Sequence, residues 1–210
     1  MDEIMSQTRR PRAAFALRVI VAGSAVVAGP AFAQQQAPAA KPAGPKLAAP
    51  KPAAAPPSIP GSPEPALLGQ FGEWGAYTAT PNGRKVCFAI AKPVSAATNP
   101  PNRPRDQPWM FISSRPSEKV KDEVSIVFGY GLKPSSDANL EIAGGSYAMN
   151  TQGDGAWVKN PAEEPKLVET LRKGLDVTVK GTSAKGTVST DVYSLKGLAQ
   201  ALDKIRQECR

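Results

Sequence analysis

The chain of 210 residues contains no histidine. That absence removes the commonest general base, the Ser-His-Asp and Cys-His hydrolase arrangements and every histidine-ligated metal site. Cysteine is scarce too, with Cys87 and Cys209 the whole supply. A structural zinc site wants four nitrogen or sulfur ligands, which two isolated thiols do not furnish. Long apolar runs are missing: the stretch Val19–Val27 is short and is followed by Pro30, whereas a membrane-spanning helix needs about 20 apolar residues. Charge is not concentrated either. The formal charge is +8, but Arg9, Arg10, Arg12 and Arg18 against Asp2 and Glu3 place +2 of it in residues 1–33. Lys41, Lys46 and Lys51 against Glu64 place another +2 in residues 34–65, leaving +4 for the rest. Nucleic-acid binding uses clustered positive charge on one face, and this mild bias does not provide it.

What is present begins with an address. Four arginines, the apolar run Val19–Val27 and the small-residue site Ala31-Phe32-Ala33 make the pattern of a cleaved secretory signal. Arg9-Arg10 suggests twin-arginine export, but Pro11-Arg12 stand where apolar residues should follow the pair. No cysteine lies near the cleavage site for a lipid anchor. The expectation is removal of residues 1–33, an exported chain from Gln34, and no transmembrane span after processing. Export changes the reading of the cysteines. In an oxidising compartment, Cys87 and Cys209 pair most simply as one disulfide, with a metal site or a reactive thiol as the alternatives. The pairing would close a loop of 122 residues, for which loop entropy gives roughly 4–5 kcal/mol.

Residues 34–65 are almost entirely Ala, Pro, Lys and Gln, and ten of the 32 are proline. Proline at that density excludes helix and sheet, and the segment has too little apolar bulk for a core. We expect a disordered Ala/Pro-rich linker with polyproline II character, at ~3.1 Å per residue. Two roles remain open for it: a plain spacer, or an arm that contacts an anionic wall.

Residues 66–210 are of single-domain size. Strand formers dominate in Lys85–Ile90, Trp109–Ile112 and Val124–Phe128. Leu140-Glu141-Ile142 and Tyr147-Ala148-Met149 flank Gly144-Gly145, a hairpin signature. Asp176–Lys180 alternates and can pair with Thr187–Thr190 across a turn over Gly181–Gly186. The proline-rich stretch Asn99–Arg105 reads as an exposed loop. Two helices are predicted. The first, Glu163–Lys173, carries Leu167, Val168 and Leu171 on one face, with Gly174 past its end. The second follows Ser194 as a candidate N-cap, with Leu195, Leu198, Ala199, Leu202, Ile205 and Cys209 in one apolar stripe. Many short strands with two helices make a mainly β sandwich.

Motifs with chemical potential have plainer readings. Ser183-Ala184-Lys185 and Ser194-Leu195-Lys196 lack the S-x-x-K spacing that aligns hydroxyl and amine. Gly181–Thr187 resembles a phosphate loop but lacks lysine directly after its second glycine and joins two strands. Asn150–Gly155 matches the first half of a calcium loop, yet Pro161 occupies the position of the bidentate Glu. Glu163-Glu164 suit the first turn of a helix. Trp74, Trp109 and Trp157 sit in strand-like runs and read as core. Arg115, Lys119 and Lys121, interleaved with Glu118, Asp122 and Glu123, read either as a solvated strand edge or as a partner-binding patch for an acidic surface.

An ordered series of short motifs resembles the invasion-associated locus B family, small exported proteins of Gram-negative bacteria. The series is Ile112-Ser113-Ser114-Arg115-Pro116, Glu123-Val124-Ser125, Gly129-Tyr130, Ala156-Trp157, Lys180-Gly181-Thr182-Ser183, Gly186-Thr187, and Tyr193–Gly197 with Cys209. Asp122 stands where the pattern has Asn, and the loop at 99–108 and the Ala/Pro segment look like additions. The resemblance covers residues 70–210. It implies an immunoglobulin-like β-sandwich, a periplasmic, secreted or outer-membrane location, no enzymatic activity and no cofactor. It also implies Tyr193 and Trp157 in the core and Cys87–Cys209 as the staple. The functional expectation is a non-enzymatic envelope protein that binds or supports an envelope protein, peptidoglycan or a host-surface component. An enzyme acting on wall or lipid substrates without histidine and an envelope-spanning spacer are the alternatives.

Overall fold

The computed structural model describes residues 63–134, 136 and 138–210. The predicted leader (1–33) and residues 34–62 of the predicted linker lie outside the described residues.

Eleven strands and two helices follow in chain order. The first six strands are β1 (Ala66–Phe71), β2 (Trp74–Ala79), β3 (Val86–Ala91), β4 (Ser95–Asn99), β5 (Trp109–Arg115) and β6 (Val120–Val127). Then come β7 (Ala138–Ile142), β8 (Gly145–Gln152), β9 (Gly155–Val158), α1 (Glu164–Lys173), β10 (Asp176–Thr182), β11 (Val188–Ser194) and α2 (Leu198–Glu208). The strands form one antiparallel ladder in the order β1-β2-β3-β5-β6-β9-β8-β7-β10-β11-β4. The mainly β class with two helices, one of them C-terminal, is the one predicted.

Local chemistry explains much of this. The β7–β8 hairpin turns through Ala143 and Gly144, both at positive φ (49° and 76°). That is the two-residue turn whose twist matches paired strands. In β10, Val177 and Val179 point inward while Asp176, Thr178 and Lys180 face outward, as alternation dictates. At Gly181, the next-to-last residue of the strand, a Cβ would lie 2.5 Å from the Phe128 ring. A side chain there would push β10 off the end of β6.

That close approach is one of three that fold the ladder over into a sandwich-like roll. Tyr130, just past β6, shares a 2.6 Å hydrogen bond with Ser189 of β11. Trp74 of β2 donates from Nε1 to the Ser194 carbonyl at the end of β11, at 2.9 Å. β2 and β11 are thus neighbours in space although eight places apart in the ladder. Inside the roll lies the main core, which includes Trp74, Met110, Ile112, Ile126, Leu140, Val179 and Tyr193. Leu167, Val168 and Leu171 of α1 and Leu198, Ala201, Leu202 and Ile205 of α2 close it. Each large apolar side chain buried this way contributes about 1.5–3 kcal/mol.

Three sequence expectations change. Helix α2 starts at Leu198, not after Ser194, and Gly197 occupies the cap at φ 97° with no side-chain cap bond. The reason is a contact between elements: a Cβ on Gly197 would sit 1.8 Å from the Phe71 carbonyl oxygen. Leu195 is still buried, but in the turn before the helix. Trp157 is an exposed residue, not a core one, because Ala156 and Val158 face inward on β9 and alternation turns Trp157 out. Strands β1 and β4 were not anticipated; β4, Ser-Ala-Ala-Thr-Asn, is largely exposed and is held by its ladder to β11.

Candidate functional site

The C-terminal end of the chain is clasped, not frayed. Cys209, the residue after α2, is bonded to Cys87 in the middle of β3, with Cα atoms 6.0 Å apart. Beside it, Lys85 Nζ donates to the Glu208 carbonyl (2.7 Å) and to its carboxylate (2.6 Å). The Lys85 hydrogen bond holds the exposed Glu208 carboxyl below its ordinary pKa. The stripe Leu198, Ala201, Leu202 and Ile205 packs the helix onto β1, β2 and β3. This constellation is structural: both thiols are consumed.

A second tie explains the Asp122 departure. Asp122 sits in a β-bulge of β6 at φ 54°, in the left-handed region that Asn and Asp tolerate best. Its backbone N–H donates to Ser114 Oγ at 3.1 Å. Its carboxylate accepts from Arg206 of α2 at 3.0 and 2.6 Å. An acidic residue therefore meets the bulge's backbone demand and also gains a partner on the helix.

The predicted patch divides when folded. The Arg115 guanidinium is already engaged, with Glu118 at 2.7 Å and with both oxygens of Glu123 at 3.0 Å. The Glu123 hydrogen bond is the main cause that raises its pKa further. Lys119 closes the short turn Pro116–Glu118 at φ 57°, and it and Lys121 are exposed. The patch is thus two exposed lysines beside a neutralised arginine.

A cleft of about 620 Å³ lies at the opposite end, lined by Arg103, Arg105, Tyr130, Ser183, Lys185 and Thr187 among others. Arg105 of this lining is one half of a buried ion pair. Asp191 of β11 is 0% exposed and Arg105, from the loop after β4, is 8% exposed at the side chain. The pair is bidentate, with Arg105 Nη1 to Asp191 Oδ2 at 2.8 Å and Nη2 to Oδ1 closer still. The Asp191 hydrogen bond raises the Arg105 pKa against its burial. The Arg105 guanidinium also lies 5.9 Å from the Tyr130 ring centre. Burial raises the Tyr130 phenol, while its hydrogen bond to Ser189 opposes that shift. Because Arg105 and Asp191 cancel, the exposed Arg103 and Lys185 set the sign of the cleft, and no carboxylate lines it.

The sequence missed this cleft because its parts come from three distant segments. The only available signal was Arg103 and Arg105 in a proline-rich loop. Other candidate motifs resolve into ordinary structure. Residues 150–155 form the β8–β9 hairpin, where Phe128 donates to the Asp154 carbonyl and Leu132 to that of Gly153. Gly181–Thr187 is the β10–β11 connection, with the Thr187 N–H donating to Ser183 Oγ at 3.0 Å. Glu164, in the first turn of α1, accepts from the Val124 N–H at 3.1 Å, and burial raises its pKa. Among the described residues, no cluster of three or more Cys, Asp or Glu side chains could hold a metal ion. No helix among them is long and apolar enough to cross a membrane.

No curated protein and no solved structure matches the chain. The model of the invasion associated locus B (IalB) protein family matches residues 74–206, from the first residue of β2 into the last turn of α2. That span holds the bulge at Asp122, the Arg105–Asp191 pair, the glycine at the α2 cap and the first of the two cysteines. The chain belongs to the invasion associated locus B (IalB) protein family.

Proposed function

We propose that this chain is an exported, non-enzymatic protein of the bacterial cell envelope that binds an anionic envelope component through the cleft beside Arg103, Arg105 and Lys185. The observation that carries this reading is the cleft's lining: two exposed cationic side chains, Arg103 and Lys185, beside the paired Arg105, a phenol and hydroxyls, with no carboxylate. Such a surface offers hydrogen bonds and positive charge but no nucleophile with an adjacent base. Family membership supports an exported protein, and the lack of histidine supports a binding role over hydrolysis. Two exposed cations attract weakly, at about 0.2–1 kcal/mol for each exposed pair. A ligand with repeated negative charge suits such a site better than a single small anion, because repetition raises the local concentration of partners.

The test is co-sedimentation of the mature protein with purified peptidoglycan and with lipopolysaccharide vesicles. Retention is expected to fall with added salt, since exposed charges are screened. It should also fall several-fold in an Arg103→Ala/Lys185→Ala variant, while Lys119→Ala/Lys121→Ala has a smaller effect. Equal retention of wild type and the cleft variant would overturn the site. Turnover of a wall or lipid substrate would overturn the non-enzymatic reading. If retention is lost on deleting residues 34–65 but not on altering the cleft, the spacer alternative takes its place.

A further inference from the structure

Trp157 belongs neither to the main core nor to the cleft lining. It faces outward from β9 and is 37% exposed. Its ring lies down on the sheet. A Cβ at Gly155, two residues earlier on the same side, would sit 2.7 Å from Cη2 and 3.3 Å from both Cζ2 and Cζ3. A point in the ring plane beyond Cη2 would stand farther from those two flanking carbons. The indole therefore covers the glycine with one face of its six-membered ring. The same device recurs at Gly75, where a Cβ would meet the Tyr77 ring at 2.6 Å, but Tyr77 is only 4% exposed. Over Gly155 one ring face rests on the backbone, so the exposure belongs to the opposite face and the rim. Strand register sets the surroundings. Ser125 of β6 and Asn150 of β8 pair with Trp157 from either side, and Val127 and Gln152 pair with Gly155. Directly opposed residues share a face of the sheet, so these four frame the ring. Asn150 and Gln152 are exposed, Ser125 and Val127 half-buried, and none of the four carries a charge.

We propose that Trp157 is the platform of a carbohydrate-binding site, separate from the cationic cleft, that takes an uncharged pyranose ring of an envelope glycan. One face of a pyranose presents mainly C–H groups, and these suit the negative face of an indole. The rim of the sugar presents hydroxyl or acetamido groups. Amide side chains such as Asn150 and Gln152 both donate to and accept from such groups, and the Ser125 hydroxyl does the same. A frame without charge favours a neutral sugar over a phosphate or a uronate, which the cleft would attract instead. The surface is flat, so it holds a single sugar weakly. A polymer with repeated units suits it better, because each repeat raises the local concentration of the next.

The experiment titrates the full mature chain with an N-acetylglucosamine trisaccharide and, separately, with a glucose trisaccharide, reading tryptophan emission. Retention on purified peptidoglycan and on lipopolysaccharide vesicles is measured alongside, at low salt and at about 1 M salt, where a Debye length of about 3 Å screens the cleft. Wild type is expected to show a saturable emission change with at least one trisaccharide. It should also keep high-salt retention on one of the two polymers, which identifies the source of the glycan. Trp157→Ala should abolish the emission change and lower the high-salt retention several-fold, and Trp157→Phe should recover part of that retention. Asn150→Ala/Gln152→Ala, which leaves the ring in place, should weaken both signals several-fold. Arg103→Ala/Lys185→Ala should leave high-salt retention unchanged, because the cleft no longer contributes there. Absence of a saturable change with either sugar would overturn the proposal. Equal high-salt retention of wild type, Trp157→Ala and the amide variant would overturn it too. Retention that disappears entirely with salt would also overturn it, and would leave the cleft as the one binding site standing.

Discussion

Strands β2, β3, β5 and β6 bury apolar side chains on both faces, and the two faces are closed by different means. Inside, Ala76, Cys87, Met110, Ile112 and Ile126 meet two helices and the returning half of the sheet, and a covalent bond pins the nearer helix. Outside, Tyr77, Phe88, Ile90 and Trp109 meet one another, Ala79 and the flanking Val86, Phe111 and Val127, all from these same four strands. The inner face mixes the large Trp74 and Met110 with small and branched residues, as interdigitating layers require. The outer face uses flat aromatics, which cover area without a second layer. The difference shows that burial of a side chain and closure of a core are separate achievements.

The largest effect that would test this contrast is loss of the clasp. The double variant Cys87→Ala/Cys209→Ala is expected to lose roughly 4–5 kcal/mol by the loop-entropy account, read as a shift in the urea midpoint. A loss below about 1 kcal/mol would mean that helix packing alone closes the inner face.

Next come matched truncations on the two faces. Leu202→Ala, under α2, should cost about 3 kcal/mol because its cavity cannot collapse against a stapled helix. Phe88→Ala should cost about 1–2 kcal/mol less than that, since only lateral contacts are lost for certain there. Equal costs would erase the distinction between the faces. A third variant probes the inner core's one buried phenol. Tyr193 is fully buried and its hydroxyl has no hydrogen-bond partner among the described residues, so its pKa is pushed far upward by burial. Tyr193→Phe should stay within about 1 kcal/mol of wild type or exceed it, because an unpaired buried hydroxyl contributes nothing to lose. A large loss would show that the hydroxyl is satisfied by a buried water.

The smallest effect is a pH dependence at Glu164. Its folded pKa is raised by burial. Such a carboxyl costs stability once pH rises through the ordinary Glu range, and the cost is complete above the raised folded value. Glu164→Gln keeps an acceptor for the Val124 N–H and removes the charge. It should be slightly more stable than wild type near neutral pH and lose that advantage in acid. An advantage that persists in acid would assign the effect to packing.

Several of these features were legible beforehand. The stripe Leu198, Leu202, Ile205 and the alternation in Asp176–Lys180 are local periodicities, and each appears as read. Gly144-Gly145 announced its hairpin because a tight turn needs positive φ at a defined place. The structure bonds Cys87 to Cys209, the two cysteines of the sequence. The start of α2 was misplaced because Gly197 answers to Phe71, more than a hundred residues away. Trp157 was misread because an isolated aromatic carries no sign of which face it will take. The Arg105–Asp191 pair and its cleft were invisible for the same reason: nothing near Asp191 in sequence predicts a loop arginine 86 positions earlier.

By itself, then, the sequence determined what depends on neighbours along the chain: strand and helix periods and turn glycines. Only the tertiary structure decided which face of β2, β3 and β5 would meet the helices, where α2 could begin, and which cations would be cancelled and which left free in the cleft. Those outcomes depend on contacts between segments distant in sequence, whose steric and electrostatic terms arise only once the sheet has folded back on itself.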